Sequence, residues 1–453
     1  MSIKTEDKPL RDMGGVRMTQ QWNPRSIVST LILLSIPTLL SNVLEGLNGF
    51  VNTLAVGRLL GKSALAATSS ANLIMFFLFS VVFGFALSAS VLVGQAVGRR
   101  DMAGAQRIAA GAIGICFLLS VIACFFGYIF CDNILTILQT PAEAFAQARI
   151  YLKGILVGIP ANLLLITLMF LLRATGDAVT PLWFMVVNVA CDIVLNPLLI
   201  LGVGPFPTMG IAGSACSTIV AGVIASSGLI FYIYWRKLPL ALHGKALYFL
   251  IPSRQLLFSL FFTGIATSLQ MLVMSSSGLI MVSFVNREGL TCAAAYNVVQ
   301  QVCTYLQMPA MAVGSAVSVL VAQQIGARVF KSAFFTTFMG LLLTGVLTGG
   351  LLALLLCFSE SLFFFFVGHN GGVVSLAQHI QHIVGWSYLF FGLAMVIFST
   401  LRANQQVWIP LLFLFAAVYP VRLGFYYLAY PRFGADAIWY SFLVGSFFAI
   451  VTA

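Results

Sequence analysis

The sequence predicts an all-α polytopic membrane protein, with twelve transmembrane helices arranged in two pseudo-symmetric six-helix lobes. Three observations lead to this fold class. Of the 453 residues, 60% are hydrophobic and only 8% are charged, a composition typical of membrane proteins and not of soluble domains. Apolar runs long enough to cross a bilayer recur along the whole chain. A long segment of the first half also returns in the second half.

The apolar runs number twelve, and each is predicted to be one membrane span, because about 20 apolar residues cover the hydrocarbon core of a bilayer. Their approximate limits are 27–50, 64–96, 108–130, 151–173, 180–202, 210–235, 255–286, 291–325, 332–358, 378–401, 408–430 and 436–453. The first 26 residues are polar and lack the apolar core of a signal peptide, so the first span is expected to stay as an anchor.

The basic residues predict the orientation of these spans. Of the 23 Lys and Arg residues, 16 fall in the N-terminal segment and the loops after even-numbered spans, among them Arg173 and Arg402, whereas six fall on the opposite side. By the positive-inside rule both termini are cytoplasmic, and we expect a bacterial cytoplasmic (inner) membrane. The net charge of +11 therefore reflects topology, and no nucleic-acid partner is expected.

The internal repeat predicts two halves with the same orientation. Ser90–Arg100 returns as Ser318–Arg328, with seven of eleven positions identical at an offset of 228, and Leu172–Leu182 returns as Leu401–Leu411 at an offset of 229. The predicted units are a cytoplasmic tail at 1–26, a lobe at 27–235, a cytoplasmic linker at 236–254 and a lobe at 255–453. Transporters built from such repeats bind their substrates between the halves and alternate by rocking one half against the other.

An acid lies in the middle of the fifth predicted span. Asn188, Asp192 and Asn196 follow one another at four-residue steps, which places them on one face of a helix, one turn apart. An ionised Asp at the centre of a membrane helix costs roughly 2.5–3.5 kcal/mol, so it needs a partner, a wet cavity or a proton. Two interpretations stay open, a cation or proton site and a buried polar contact that holds two helices together.

A second acid lies in the first predicted span. Glu45 belongs to a polar stripe with Asn48 and Asn52 at three- and four-residue steps, and Pro37 upstream allows this helix to bend. We predict that these residues and the Asn188–Asn196 face form a cation-coupling site in the first half. At the repeat offset Glu45 corresponds to Val273. Asp192 corresponds in the same way to Val421, so the second half lacks both acids.

Further polar side chains are predicted to line a substrate cleft between the halves. They are Asn72, Ser214, Thr218, Gln270, Asn297, Gln300, Gln301 and Arg422. The hydroxyls of Ser214, Ser217 and Thr218 could also complete the cation site. The alternative for these residues is helix packing through small polar residues, which is common in membrane proteins. The eight cysteines contain no C-x-x-C pair, so we expect no metal site, and no cofactor beyond H⁺ or Na⁺ as the coupling ion.

Several motifs resemble those of the multidrug and toxic compound extrusion (MATE) family. They are P-x-L-L-S-N…V-N-T-L-A-V-G-R-L-L-G from Pro37 to Gly61, V-G-Q-x-x-G at Val93–Gly98, R-A-T-G-D-x-x-T-P at Arg173–Pro181 and N-P-L-L-I-L-G at Asn196–Gly202. The resemblance implies a V-shaped pair of six-helix lobes around a central cleft. It also implies efflux of cationic or amphipathic compounds, driven by inward H⁺ or Na⁺.

The resemblance also assigns roles to single positions. Many members have a carboxylate in the first span that meets an Asn/Asp pair in the fifth; here the first-span position is Asn52, and the pair is inverted as Asp192 and Asn196. Another branch has an acid in the seventh span, where this chain has Gln270, whereas Pro37 matches the bending proline of the first span. We therefore expect Glu45 to supply the missing acid.

The function predicted from these features is secondary active efflux of small organic, cationic or amphipathic compounds by alternating access, by a monomer in the lipid bilayer. The alternative is a flippase for lipid-linked oligosaccharides, whose pyrophosphate would require several basic residues in the cleft. The predicted spans hold only Arg422 away from their ends. An enzyme is not expected, because the sequence has no H-E-x-x-H motif or nucleophile elbow and its four histidines fall in loops or at a span start.

Overall fold

The structure, a computed structural model, describes residues 23–138, 140–204, 207–238, 240–242, 248–367 and 371–453, and within them every regular element is a helix. The helices are α1 Pro24–Leu60, α2 Lys62–Gly98, α3 Met102–Ile129, α4 Cys131–Ile137, α5 Ala142–Ala174, α6 Val179–Leu201, α7 Ile211–Trp235, α8 Arg254–Arg287, α9 Leu290–Gly326, α10 Phe330–Cys357, α11 Ser359–Val367, α12 Gly371–Ala403, α13 Trp408–Ala416, α14 Arg422–Phe433 and α15 Asp436–Thr452, with a π-helical segment at Ala417–Val421.

The predicted all-α membrane fold is confirmed. Eleven helices of the described part are long and apolar enough to cross a membrane, one of them being the run Trp408–Phe433 that joins α13, the π segment and α14. α15 is a shorter apolar helix at the place of the twelfth predicted span. Helix α1 continues beyond the predicted limit of 50 to Leu60, because no proline follows Pro37 within it. The helix ends at Gly61, which has a φ of 85°.

The limits of the predicted units are only partly covered. Residues 1–22 of the predicted tail, and residues 239 and 243–247 of the predicted linker, lie outside the described residues. The last three residues of the predicted tail, 24–26, belong to α1. The division into tail, lobe, linker and lobe stays a prediction.

Each half contains an apolar core of its own, and a third apolar cluster joins the halves. The largest cluster draws almost all of its buried residues from α1–α7, and the next one draws them from α8–α15. The joining cluster packs Leu31 and Leu34 of α1 with Val313 and Val317 of α9. The two lobes are therefore held together by side chains of the first helix of one half and the second helix of the other.

The backbone turns repeat with the sequence. Gly61 between α1 and α2 has a φ of 85°, and Gly289 between α8 and α9, at an offset of 228, has a φ of 104°. Arg100 and Arg328, at the same offset, both have a φ of 60°. Non-glycine residues rarely adopt this conformation, so its recurrence at matching places indicates that the two halves share one backbone design.

The repeated glutamines connect the two halves reciprocally. Gln95 of α2 donates a hydrogen bond of 2.8 Å to the carbonyl oxygen of Ala403 at the end of α12. Gln323 of α9 donates one of 2.8 Å to the carbonyl oxygen of Ala174 at the end of α5. Each half therefore caps the last turn of a helix in the other half.

The repeated glycines allow these two helices to approach. A Cβ atom at Gly98 would collide with the backbone of Gln323, and one at Gly326 would collide with the backbone of Gln95. The V-G-Q-x-x-G motif therefore supplies a donor and a close contact from the same turn. The halves are in contact at the C-terminal ends of α2 and α9, which is the cytoplasmic end in the predicted topology.

Candidate functional site

Asp192 lies in a cage of uncharged donors. The residue is 2% exposed, and its Oδ1 accepts hydrogen bonds from the hydroxyls of Ser217 at 2.7 Å and Thr218 at 3.3 Å. Its Oδ2 accepts a hydrogen bond of 3.0 Å from Nδ2 of Asn48. The described part of the chain forms no salt bridge to this carboxylate. A buried acid without a basic partner can be neutralised by a cation or a proton that enters the cage.

A second polar cluster lies one helical turn further along α6. Oδ1 of Asn52 accepts hydrogen bonds from Nδ2 of Asn196 at 3.0 Å and from the hydroxyl of Ser214 at 2.9 Å. Asn52, at the position where the family resemblance implies an acid, is thus a neutral acceptor for two donors. The predicted pairing of the α1 stripe with the α6 face is present as direct contacts in both clusters.

Two amide oxygens beside Asp192 have no donor. Oδ1 of Asn188 and Oδ1 of Asn196 are both buried and accept no hydrogen bond within the described residues. They stand one turn before and one turn after Asp192 on the same helix. Amide oxygens, hydroxyls and carboxylates are the ligands that hard cations prefer, so this face suits a cation as well as a proton.

A cavity within the first half joins Asp192 to Glu45. Its polar lining includes Glu45, Asn48, Asn162, Asn188, Asp192 and Thr218, and its other walls are apolar side chains of α2, α5 and α6. The two acids that the sequence places in membrane spans therefore open onto the same space. Asp192 is buried there, whereas Glu45 is exposed.

A second cavity lies between the halves, and Glu45 lines this one too. The other charged residues on its walls are Arg173 of α5 and Arg402 of α12, which are 8% and 6% exposed. The sequence predicts both arginines in cytoplasmic loops. The structure corrects this, because each arginine belongs to the last turn of its helix and is buried against the cavity.

The predicted substrate-cleft residues separate into several groups. Only Thr218 lines either of the two cavities described above, and Ser214 belongs to the Asn52 cluster. Gln270 is buried between the carbonyl of Val407 and the guanidinium of Arg402. The remaining residues lie away from both cavities: Gln300 accepts a hydrogen bond from Tyr388, Asn72, Asn297 and Gln301 are exposed, and Arg422 is buried within the second half.

Arg422 follows directly after Val421, the residue of the second half that matches Asp192 at the repeat offset. Pro181 and Pro410 match at an offset of 229 near the start of the two helices, which aligns Asp192 with Val421. Residues 417–421 form a π-helical segment, in which hydrogen bonds join residues five apart. A buried basic residue therefore lies one position after the match to the buried acid.

Arg422 is held by contacts within the second half. Its guanidinium donates a hydrogen bond of 3.1 Å to the hydroxyl of Ser277 on α8 and lies 4.5 Å from the ring centroid of Phe442 on α15. Gly445 of α15 lies beside it, and a Cβ atom there would be 3.3 Å from Nε of Arg422. Corresponding helices of the two halves thus contain buried charges of opposite sign.

The family model MatE matches residues 37–198 and again residues 266–428, one match in each half. The chain belongs to the MATE family. The probable multidrug resistance protein YoeA of Bacillus subtilis is 33% identical over 421 residues, which cover 93% of this chain and 89% of that protein. The probable multidrug resistance protein NorM of Deinococcus radiodurans is 26% identical over 92% of this chain and 91% of that protein.

Solved structures of MATE transporters have the same fold. A mutant of the Vibrio cholerae MATE transporter VcmN aligns with a TM-score of 0.88 and 18% identity over 95% of this chain and 96% of that chain. A MATE structure in a bent conformation aligns with a TM-score of 0.85, 18% identity and coverage of 94% and 93%. The resemblance drawn from the motifs is confirmed, and the chain is a multi-pass MATE transporter.

Two contributors to the cavities of this MATE transporter, Arg173 and Arg402, were not predicted from the sequence. Ser217, one of the α7 hydroxyls predicted as possible cation ligands, gives Asp192 its shortest hydrogen bond. Arg173 and Arg402 were counted as loop residues. The internal repeat could have identified them, because they are a matched pair at an offset of 229 within a shared Leu-Arg-Ala sequence.

Proposed function

We propose that this MATE transporter is a secondary active antiporter that exports cationic or amphipathic organic compounds in exchange for H⁺ or Na⁺ by alternating access. The observation that supports the proposal is the Asp192 carboxylate, buried among neutral donors on the wall of a cavity that it shares with Glu45. Several relatives of the chain are named as multidrug resistance proteins, which supports small organic substrates.

The proposed cycle begins with both acids charged and the cavity hydrated. A proton or Na⁺ that enters from outside neutralises Asp192 and Glu45, so that desolvation of the carboxylates no longer opposes closure of the cavity. The first-half wall then narrows and the substrate leaves outward. Each elementary charge that moves inward down 100 mV supplies about 2.3 kcal/mol, and one or two such charges shift a two-state equilibrium strongly.

Pro37 is the proposed hinge for this narrowing. It lies inside α1, where it cannot donate the usual backbone hydrogen bond, and the hydroxyl of Ser41 donates to its carbonyl oxygen at 2.9 Å. The segment of α1 beyond Pro37 holds Glu45, Asn48 and Asn52. Bending at Pro37 therefore moves every α1 side chain of the site together.

The remaining parts of the proposal concern the setting. We propose a monomer in the bacterial inner membrane with both termini cytoplasmic, which transports without an enzymatic step. Glu45 is the proposed partner of the cationic part of a substrate, because it lines both the first-half cavity and the cavity between the halves. The apolar part would contact methionine and phenylalanine side chains on the same walls.

The test is transport of a cationic dye into inverted proteoliposomes under a pH gradient, a Na⁺ gradient or neither. The wild type should accumulate the dye under at least one gradient, and Asp192→Asn, Glu45→Gln and the double variant should lose gradient-driven accumulation. Glu360→Gln, which neutralises an exposed acid outside both cavities, is the matched control and should behave as the wild type. If all three pocket variants still accumulate dye against its gradient, the pocket is not the coupling site.

A flippase for lipid-linked oligosaccharides stays the second candidate. The sequence argument against it was a cleft with few basic residues, and Arg173 and Arg402 weaken that argument because both line the cavity between the halves. Glu45 on the same wall opposes a pyrophosphate. The discriminating assay is scrambling of a fluorescent lipid pyrophosphate in proteoliposomes without any gradient. A scrambling rate above that of protein-free vesicles would favour the flippase over the antiporter.

A further inference from the structure

The cavity between the halves contains an excess of positive charge. Arg173 and Arg402 are the basic residues on its walls, and Glu45 is the acidic one. Glu45 lines the cavity with both arginines, and neither Arg173 nor Arg402 forms a salt bridge within the described part of the chain. Two buried guanidinium groups therefore share a cavity with one carboxylate.

Both arginines also have a buried donor that no described residue accepts. The Nε atoms of Arg173 and Arg402 are buried and unbonded within the described residues. Arg402 donates one long hydrogen bond of 3.4 Å to Gln270, and Arg173 lies 5.7 Å from the ring centroid of Phe170. A buried guanidinium with unused donors is costly unless a ligand supplies the acceptors.

A purely structural role as helix caps does not account for the pair. Arginines near a helix C-terminus often bond the last carbonyl oxygens. Here the carbonyls of Ala174 and Ala403, which follow the two arginines directly, are already occupied by Gln323 and Gln95 of the opposite halves. The glutamines leave the guanidinium groups free to face the cavity.

Apolar and adaptable side chains form most of the remaining walls of this cavity, beside the polar side chains of Thr38, Ser41, Asn42, Ser315 and Ser399. Methionines from five helices line it, together with phenylalanines of α2 and α5: Met169, Met185, Met271, Met311, Met395, Phe79, Phe83 and Phe170. Methionine and aromatic walls suit flat, apolar ligand bodies of varied shape. The cavity thus combines an apolar surface with two basic groups and one acidic group.

We propose that Arg173 and Arg402 bind the carboxylate of a zwitterionic amphipathic compound, with the cationic part of the same compound near Glu45. The guanidinium fork matches a carboxylate through paired hydrogen bonds, and the two arginines come from matching positions of the two halves. As a statement about exported substrates the proposal rests on the proposed efflux function, but binding itself does not require transport.

The test compares rhodamine B, which has a free carboxylate beside its cationic ring system, with its ethyl ester, which keeps only the cation. Fluorescence polarisation measures binding of each dye to the purified full-length protein in detergent. The wild type should bind the acid more tightly than the ester. Arg402→Gln and Arg173→Gln should each weaken acid binding by about tenfold, the usual loss for a hydrogen bond to a charged group, and leave ester binding unchanged or tighter.

Three further variants separate this role from a general effect on folding. Arg402→Lys keeps the charge and should recover part of the acid binding. Arg422→Gln removes a buried arginine that lines neither cavity and should leave the ratio of acid to ester affinity unchanged. Glu45→Gln removes the acidic group near the cationic part of both dyes and leaves the arginines without a competing carboxylate, so it should weaken ester binding and raise the ratio of acid to ester affinity.

The proposal is overturned if the wild type binds both dyes equally, or if the arginine variants change both affinities by the same factor. Transport of the same dyes in proteoliposomes separates this result from the proposed function. If the protein binds the acid selectively but transports neither dye under a gradient, the antiporter function is contradicted and the carboxylate site is supported. Export of the ester with no preference for the acid supports the antiporter and removes the carboxylate site.

Discussion

Asn48 and Asp192, which are 144 residues apart, are joined by a hydrogen bond of 3.0 Å between Nδ2 of the amide and Oδ2 of the carboxylate. This contact links α1, the helix that contains the proposed hinge, to the buried acid of α6. The same two helices meet again one turn later through Asn52 and Asn196 at 3.0 Å. Movement of α1 therefore changes the hydrogen bonding of the Asp192 carboxylate directly.

Removing the Asn48 donor should impair coupling. Asn48→Ala leaves Oδ2 of Asp192 with only the long 3.5 Å hydrogen bond from Thr218, and loss of a hydrogen bond to a charged group costs about 1.5–3 kcal/mol. We expect initial rates of gradient-driven transport to fall by about tenfold or more in proteoliposomes. Asn404→Ala, at an exposed turn position, is the matched control. Equal rates for the two variants would show that the Asn48 contact is dispensable.

Pro37→Ala should separate binding from transport. Alanine restores a backbone donor inside α1 and stiffens the helix, while the site side chains beyond it are unchanged. We expect dye affinity within about twofold of the wild type and a transport rate reduced by about tenfold. Pro160→Ala, another proline inside a helix, is the control and should reduce transport less. A fully active Pro37→Ala protein would contradict the hinge.

The close approach of α2 and α9 predicts a stability effect. Gly98→Ala introduces a Cβ atom against the backbone of Gln323, and overpacking of this kind typically costs about 1–3 kcal/mol. We expect a lower melting temperature of the detergent-solubilised protein. Gly350→Ala, within α10 and with open space around it, should keep or raise the melting temperature, because alanine favours a helix. The prediction fails if both substitutions have the same effect.

Removing the reciprocal glutamines should shift the two halves relative to each other. Gln95→Leu and Gln323→Leu each leave a helix-terminal carbonyl without its donor, which weakens contact at the C-terminal ends of α2 and α9. The double variant should open the cavity from that side. A cysteine at Ser399, which lines the cavity, should then react several times faster with an impermeant maleimide in a cysteine-free background.

Labelling from each side of the membrane completes this experiment. In the predicted topology the faster reaction occurs from the cytoplasmic side, so the side of labelling also tests the predicted orientation. Gln301→Leu, an exposed glutamine of α9, is the matched control. Unchanged labelling in the double variant would mean that the glutamines do not stabilise this contact.

The sequence by itself determined the membrane class, the helical spans and the repeat. Each depends on properties that are local or directly comparable along the chain: apolar run length, the positions of basic residues, and identical residues at a constant offset. Helical periodicity was also enough to place Asn188, Asp192 and Asn196 on one face, because neighbours within a helix follow from spacing alone.

Only the tertiary structure decided which faces meet. Periodicity does not determine the partner of a helix, so the contact of Asn48 with Asp192 and the burial of Arg173 and Arg402 in a shared cavity follow from packing between distant segments. The π-helical segment at 417–421 is likewise a feature of the folded helix that leaves no mark in the apolar pattern. The sequence identifies the charged residues of this site, whereas the packing of the two halves determines which residues surround them.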